Sequence, residues 1–235
     1  MTQTRASTPH GERGSPPPRD GRGAPQAPSV GAPSGRVAHG RESGARLSTA
    51  PASASAPALV TWIVIAGGLL LLLARPTLEA FPLAVPVLAL GYLALLISAL
   101  AVPRTTSSRT DPAPLGWKGP LLLGLAGVAG AVVVAGPVAD RRVGGVAVGL
   151  ALAAAVAEEA LFRRVLYERL LRFGVVAAVT GSAALFALVH LPAYGVAAMP
   201  VDLGAALLLS WQRYASGCWT VPAVTHVVAN LLAVT

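Results

Sequence analysis

The sequence predicts an all-α, polytopic membrane protein with about seven transmembrane helices behind a disordered N-terminal tail. Composition is the first sign. Only 12% of the 235 residues are charged and 54% are hydrophobic, whereas a soluble domain carries about 25% charged residues. Mean hydropathy is +0.64. The second sign is a series of near-continuous apolar runs from Leu59 onward, approaching the roughly 17–25 residues that cross a bilayer as a helix. The third is their pattern. Gly67 to Ala74 and Ala147 to Ala157 are almost wholly apolar on consecutive positions, which excludes the alternating polarity of a membrane β-barrel.

Residues 1–57 are rich in Pro, Gly, Ser, Ala and Arg and poor in aliphatic side chains. Such a segment buries too little apolar surface to offset its ordering entropy, so disorder is expected. The first apolar core begins near Leu59, too far along for a secretory signal. Residues 58–118 are read as two transmembrane helices and a basic loop, residues 119–235 as a helical core. The expected helices are Leu59–Ala74, Phe81–Val102, Leu121–Val138, a long Val143–Arg172, Val175–Leu191, Leu203–Ala215 and Val221–Val234. Pro82 and Pro86 fall in opening turns of the second, where a missing N–H is tolerated. Asp202 and Thr220 are candidate N-caps, and Arg172-Phe173-Gly174 reads as a tight turn capped by glycine.

The net charge of +8 raises nucleic-acid binding, but its distribution argues against it. Seven arginines lie before Leu59, and no folded basic face with interleaved aromatics is visible. The tail, the Arg104–Lys118 loop and the Arg163–Arg172 stretch are basic, alternating with weakly charged loops. That asymmetry places the N-terminus in the cytoplasm, with Asp140-Arg141-Arg142 as the contrary signal. The Ala, Gly, Pro and Arg bias points to a GC-rich bacterial genome, hence a bacterial plasma membrane. A single cysteine, Cys218, excludes an internal disulfide and multi-cysteine zinc sites.

Function is read from polar side chains inside apolar helices, which are expensive in hydrocarbon and mark interiors or wet cavities. Glu158-Glu159-x-x-x-Arg163, Phe186-x-x-x-His190 and His226-x-x-x-Asn230 stand in the last third of the chain. Glu158 precedes Gly174 by sixteen residues and His190 follows it by sixteen. At 1.5 Å per residue both lie ~24 Å from the turn, so an antiparallel hairpin sets carboxylate and imidazole at one depth. Glu159 and Arg163 are i, i+4 neighbours able to pair, leaving Glu158 about 100° away for another partner. His226 and Asn230 share one stripe, and Phe186 would pack beside His190. A carboxylate can activate water, an imidazole can hold that water, and a His/Asn pair can donate to an oxyanion. The same residues also suit an ion-paired helix end and interhelical hydrogen bonds. A His₂Glu zinc set of Glu158, His190 and His226 is the metal alternative, set against the missing HExxH motif and the nearby Arg163 cation.

These patterns resemble the EExxxR, FxxxH and HxxxN motifs of the CPBP family, which takes in CAAX-prenyl endopeptidases and bacteriocin-processing or immunity proteins (also called Abi). The resemblance covers about residues 120–235. It implies a metal-independent intramembrane glutamic endopeptidase with no cofactor, acting on a peptide or protein in the bilayer. By the same resemblance Glu158 activates water with His190, His226 and Asn230 form the oxyanion hole, and Glu159 and Arg163 support the site. The sequence ends five residues after Asn230, where many relatives carry a further helix. The competing readings are a non-catalytic scaffold or immunity protein and, more remotely, a transporter, for which paired half-helices and internal duplication are missing.

Overall fold

The computed structural model describes residues 56–104, 115–135 and 144–234, all within one compact unit, Pro51–Thr235. The expected tail, most of the Arg104–Lys118 loop and Asp140-Arg141-Arg142 lie outside the described residues. Helices account for nearly all the rest: α1 (Ala56–Glu79), α2 (Ala84–Ala101), α3 (Lys118–Ala135), α4 (Gly145–Glu159), α5 (Tyr167–Leu170), α6 (Val175–Tyr194), α7 (Met199–Ser216) and α8 (Thr220–Val234). Among the described residues, four segments are long and apolar enough to cross a membrane: Pro57–Glu79, Ala84–Ala101, Gly145–Phe173 and Val175–Tyr194. Lys118–Val134 and Thr220–Ala233 are shorter apolar helices. Four of the seven expected spans thus have the length and composition of a membrane crossing among the described residues.

Two expectations are corrected by backbone geometry. Asp202 is not an N-cap, because α7 begins at Met199 with a proline in its first turn and Asp202 sits inside that turn. Thr220 is the first helical residue of α8 and not the residue before it. The long fourth helix is continuous in space but not uniform. After Glu159 it widens into a π-helical stretch, Ala160–Leu166, before α5 and a closing 3-10 turn, Leu171–Phe173. The Tyr167 N–H reaches the Phe162 carbonyl, five residues back, the signature of a π turn.

The turn at Gly174 behaves as its sequence predicts. Its φ is +99°, a conformation open to glycine and strained for other residues. Its N–H donates to the Leu171 carbonyl at 2.9 Å, and α6 then returns antiparallel along α5 and the π stretch.

The apolar centre is shared by α1, α2, the π stretch and α6, through Ile65, Leu72, Leu88, Leu95, Leu161, Phe162, Val165 and Phe186. Register comes from two contacts. A methyl added at Gly68 would stand 2.7 Å from Leu161 Cδ2 and 2.8 Å from Leu95 Cδ1, so these three residues share one level. Lower down, the Arg164 guanidinium donates to the carbonyls of Ala99, Leu100 and Val102, capping the end of α2. The continuous helical segment Gly145–Phe173 thus runs parallel to α2. Large apolar side chains such as Ile63, Leu70, Leu90, Leu93 and Ile97 face outward, as lipid-facing surfaces require.

Candidate active site

Five residues singled out by sequence, Glu158, Glu159, Arg163, His190 and His226, come together where α4, the π stretch, α6 and α8 meet. Asn230 instead meets α4 at Ala151, about two turns before Glu158. Glu158 and Glu159 end α4, and both are buried. Arg163 lies inside the π stretch and is fully buried. It is joined to Glu159 as i, i+4 spacing predicts, with NH1 3.0 Å from Oε1. Its NH2 donates to the Ala206 carbonyl of α7 at 3.1 Å. The assignment of Arg163 to a basic loop end is overturned by this burial, and Arg164, buried against the end of α2, does not serve as a loop charge either. Both cations are held by protein acceptors, which removes them from the orienting charge of that loop.

Glu158 is turned the other way, as a 100° step per residue requires. Its Oε2 lies 3.7 Å from His190 Nε2. The depth match predicted from Gly174 therefore holds in space. His190 is fixed on three sides. Its Nδ1 donates to the Phe186 carbonyl at 2.7 Å, and since a carbonyl only accepts, Nδ1 carries the ring proton. Phe186 stacks on the ring at 4.3 Å between centroids, and Tyr194 stacks from the far side at 5.7 Å. Asp202 of α7 lies within electrostatic reach of the same imidazole. In the neutral tautomer Nε2 then presents a lone pair to Glu158, so the two groups face each other as acceptors.

His226 reaches Glu159 instead, with Nδ1 2.9 Å from Oε1. Glu159 Oε1 thus accepts from both His226 and Arg163, while Oε2 has no partner among the described residues. Asn230, one turn further along α8, donates Nδ2 to the Ala151 carbonyl at 3.1 Å. Phe186 meets the His226 ring edge-on at 5.7 Å and lies 4.6 Å beneath the Arg163 guanidinium. One aromatic ring therefore sets the spacing of His190, His226 and Arg163 together.

The zinc alternative gains no support from this arrangement of ligands. Among the described residues no three His, Cys, Asp or Glu side chains gather as a metal-holding group. Glu158 and His190 approach each other, but the Nδ1 of His226 is taken by Glu159.

Sequence reasoning missed the side chains that hold the π stretch. A π turn shifts backbone carbonyls out of the regular ladder, and buried polar groups need partners. Ser182 of α6 donates to the Phe162 carbonyl at 3.0 Å. Arg213 of α7 donates Nε to the Arg163 carbonyl at 3.1 Å, lies 3.8 Å from Glu168, and covers the Tyr167 ring. Glu168 and Arg213 carried a signal, since each is an ionisable residue in an apolar helix. Ser182 carried none. Gln212 likewise ties α7 to α3 and α8 through the Pro120 carbonyl and the Thr225 hydroxyl.

No curated protein and no solved structure matches the chain. A protein-family model described as type II CAAX prenyl endopeptidase Rce1-like matches residues 143–232. The matched segment, which contributes Glu158, Glu159, Arg163, His190, His226 and Asn230, is similar to the Rce1-like family of CAAX prenyl endopeptidases.

Proposed function

We propose that this protein is an intramembrane endopeptidase of the bacterial plasma membrane that hydrolyses a peptide bond of a membrane-associated peptide or protein by metal-free glutamate chemistry. The observation that carries the reading is the 3.7 Å gap between Glu158 Oε2 and His190 Nε2. Two acceptors at that spacing do not bond to each other, but a water can donate one hydrogen to each. The water oxygen then keeps a lone pair for attack on a carbonyl carbon. As it attacks, Glu158 takes its proton as general base, and the same carboxyl group returns that proton to the leaving amine. His190, locked by Phe186, sets the direction of the lone pair.

The negative charge that develops on the carbonyl oxygen needs donors aimed at it. His226 in its doubly protonated form would donate Nε2–H, since Nδ1 is occupied by Glu159. The second Nδ2 hydrogen of Asn230 would be the other donor. Glu159 and Arg163 hold His226 and the π stretch and take no part in proton transfer. The loop charges left after the burial of Arg163 and Arg164 still favour a cytoplasmic N-terminus.

The test is processing of a co-expressed membrane-anchored substrate library in isolated membranes. Loss of cleavage in Glu158→Gln and His190→Ala, at wild-type protein levels, is the expected result. Activity that survives a strong chelator supports the metal-free mechanism, and loss restored by zinc would replace it with the zinc alternative. Undiminished cleavage in both variants would sink the peptidase reading in favour of a non-catalytic scaffold or immunity role.

A further inference from the structure

The two ends of the bundle differ in charge and in aromatic content. One end centres on the Gly174 turn, and four contacts bring other helix ends to it. Arg169 donates to the Thr61 hydroxyl in the opening turns of α1 at 2.6 Å. Arg164 donates to the Val102 carbonyl just beyond α2 at 3.0 Å. Arg213, in the last turn of α7, lies 3.8 Å from Glu168 of α5. The Leu115 N–H, ahead of α3, donates to the Ala215 carbonyl of that same last turn at 3.2 Å. All four tryptophans of the chain fall at this end: Trp62 beside Thr61, Trp117 before α3, Trp211 in the last two turns of α7 and Trp219 before α8. At the opposite end, where α1 finishes and α7 begins, Arg75 is bonded to Glu79 and Asp202 adds a further acid.

Three cations stay exposed at the tryptophan-bearing end: Arg104, Lys118 and Arg172. None of them is paired with a carboxylate among the described residues. Two lie over an exposed aromatic ring of the adjoining residue. Lys118 Nζ stands 5.7 Å from the centroid of Trp117, and the Arg172 guanidinium carbon 4.5 Å from that of Phe173. Trp117 is 56% exposed and Phe173 65%. A ring face attracts the charge but leaves N–H donors for oxygen acceptors. Arg104 is within electrostatic reach of the buried Arg164, so like charges gather here. The acid of this end, Glu168, is buried beside Arg213. The chain preceding α1 enters at the same end and adds seven arginines against three acids.

We propose that this end is a binding surface for anionic phospholipid headgroups, with Arg104, Lys118 and Arg172 as its phosphate-binding cations and Trp62, Trp117 and Phe173 at the boundary with the acyl chains. The aromatic rings favour a lipid over a soluble acidic protein, since tryptophan concentrates where headgroups meet hydrocarbon. Long cationic side chains lay their stems on apolar surface and raise the charged head into the headgroup layer. A guanidinium pairs with phosphate through two parallel hydrogen bonds, and each basic residue near an anionic leaflet adds to the attraction. Glu158 lies ~24 Å along its helix from Gly174, so this surface is separate from the candidate active site and needs no peptidase activity.

The tryptophans supply the readout. The full chain is placed in nanodiscs of phosphatidylcholine with a minority of phosphatidylglycerol, and bromine is carried on the acyl chains of one lipid or the other. Brominated chains quench tryptophan only at short range, so the quenching ratio reports which lipid lies against this end. Phosphatidylglycerol is expected to be enriched there about fivefold over its bulk share, averaged over the four tryptophans. The triple variant Arg104→Gln, Lys118→Gln, Arg172→Gln is expected to bring that enrichment near one. Arg172→Gln alone, at an exposed turn, is expected to lower it roughly twofold. Arg75→Gln, at the opposite end, should leave it unchanged. Molar salt should weaken it, because exposed charges are then screened. Equal quenching by the two lipids in the unaltered chain, or enrichment that survives the triple variant, overturns the surface. Enrichment abolished by millimolar inorganic phosphate or by an oligoglutamate peptide assigns the three cations to a soluble anion and overturns the lipid.

Discussion

The α1–α2 hairpin and the α4–α6 hairpin are built to the same length scale but bury opposite kinds of residue. The first buries Ile65, Leu72, Leu88, Leu95 and Ala99, with Thr61 and Tyr92 as its polar exceptions. The second buries Glu158, Glu159, Arg163, Arg164 and Glu168 beside its apolar residues. Association of apolar helices in lipid rests on packing and small residues, which is why Gly68 lies where three helices meet. Charges taken out of water need partners with good geometry, which is why nearly every charge in the second hairpin has a named acceptor or donor. One hairpin is a wall and the other an ionic interior. The wall excludes lipid and water from charges that could not otherwise be held.

The sharpest break in the comparison is chemical. Glu158→Gln keeps the size and burial of the side chain but removes the base. Cleavage in membranes is expected to fall by ~10³-fold or more, about 4 kcal/mol of barrier, with no change in the thermal unfolding midpoint. An equal loss from a buried apolar change on the wall, such as Leu88→Ala, at wild-type folding would erase the distinction between the two hairpins.

The next break is structural. Arg163→Ala leaves Glu159 buried beside His226 with its guanidinium partner gone. Removing one partner of a buried pair costs about 3–5 kcal/mol, so folded protein recovered in mild detergent should drop steeply. Replacing Glu159 and Arg163 together by Gln and Met should recover part of that loss, because no lone charge is left. Measured unfolding midpoints of the single and double variants decide it.

Much of this contrast was legible beforehand, and its limits have physical causes. The pairing of Glu159 with Arg163 follows from i, i+4 spacing. The meeting of Glu158 and His190 follows from two equal arms about Gly174. Phe186 beside His190 follows from one helical turn. The π stretch did not follow, because a local pattern of apolar and polar residues does not encode a change from i−4 to i−5 bonding. The destination of His226 was also hidden. A helix stripe says that its side chain faces inward, but only tertiary contact decides between Glu158 and Glu159. The burial of Arg163 and Arg164 ran against the usual habit of paired arginines at a helix end. Their acceptors, the Ala206 carbonyl and the end of α2, lie in distant segments.

A smaller effect sharpens the wall itself. At Gly68 an added methyl would press on Leu161 and Leu95, both branched and tightly held. Overpacking of this kind costs about 1–3 kcal/mol. Gly68→Ala is therefore expected to lower the unfolding midpoint. It should also reduce cleavage, because Leu161 moves with the π stretch, one turn from Glu158. Gly67→Ala, with open space around the new methyl, is the matched control and should do neither.

The smallest effect probes the seam between wall and interior. Ser182 sits on α6 with only its hydroxyl committed to the Phe162 carbonyl. Ser182→Ala removes one donor and leaves a carbonyl that the Tyr167 N–H already satisfies, so the stability lost should be about 0.5–1.5 kcal/mol. Activity should fall by more than stability if that donor helps set the geometry of the π stretch, because Glu159 immediately precedes it, Arg163 lies within it and Phe162 packs edge-on against Phe186 at 5.2 Å. Paired measurement of unfolding midpoint and cleavage rate distinguishes the two cases. Parallel, proportionate losses would mean that the π stretch is held by Arg213 and by its own packing, and that Ser182 is only one more satisfied polar group in the helix interface.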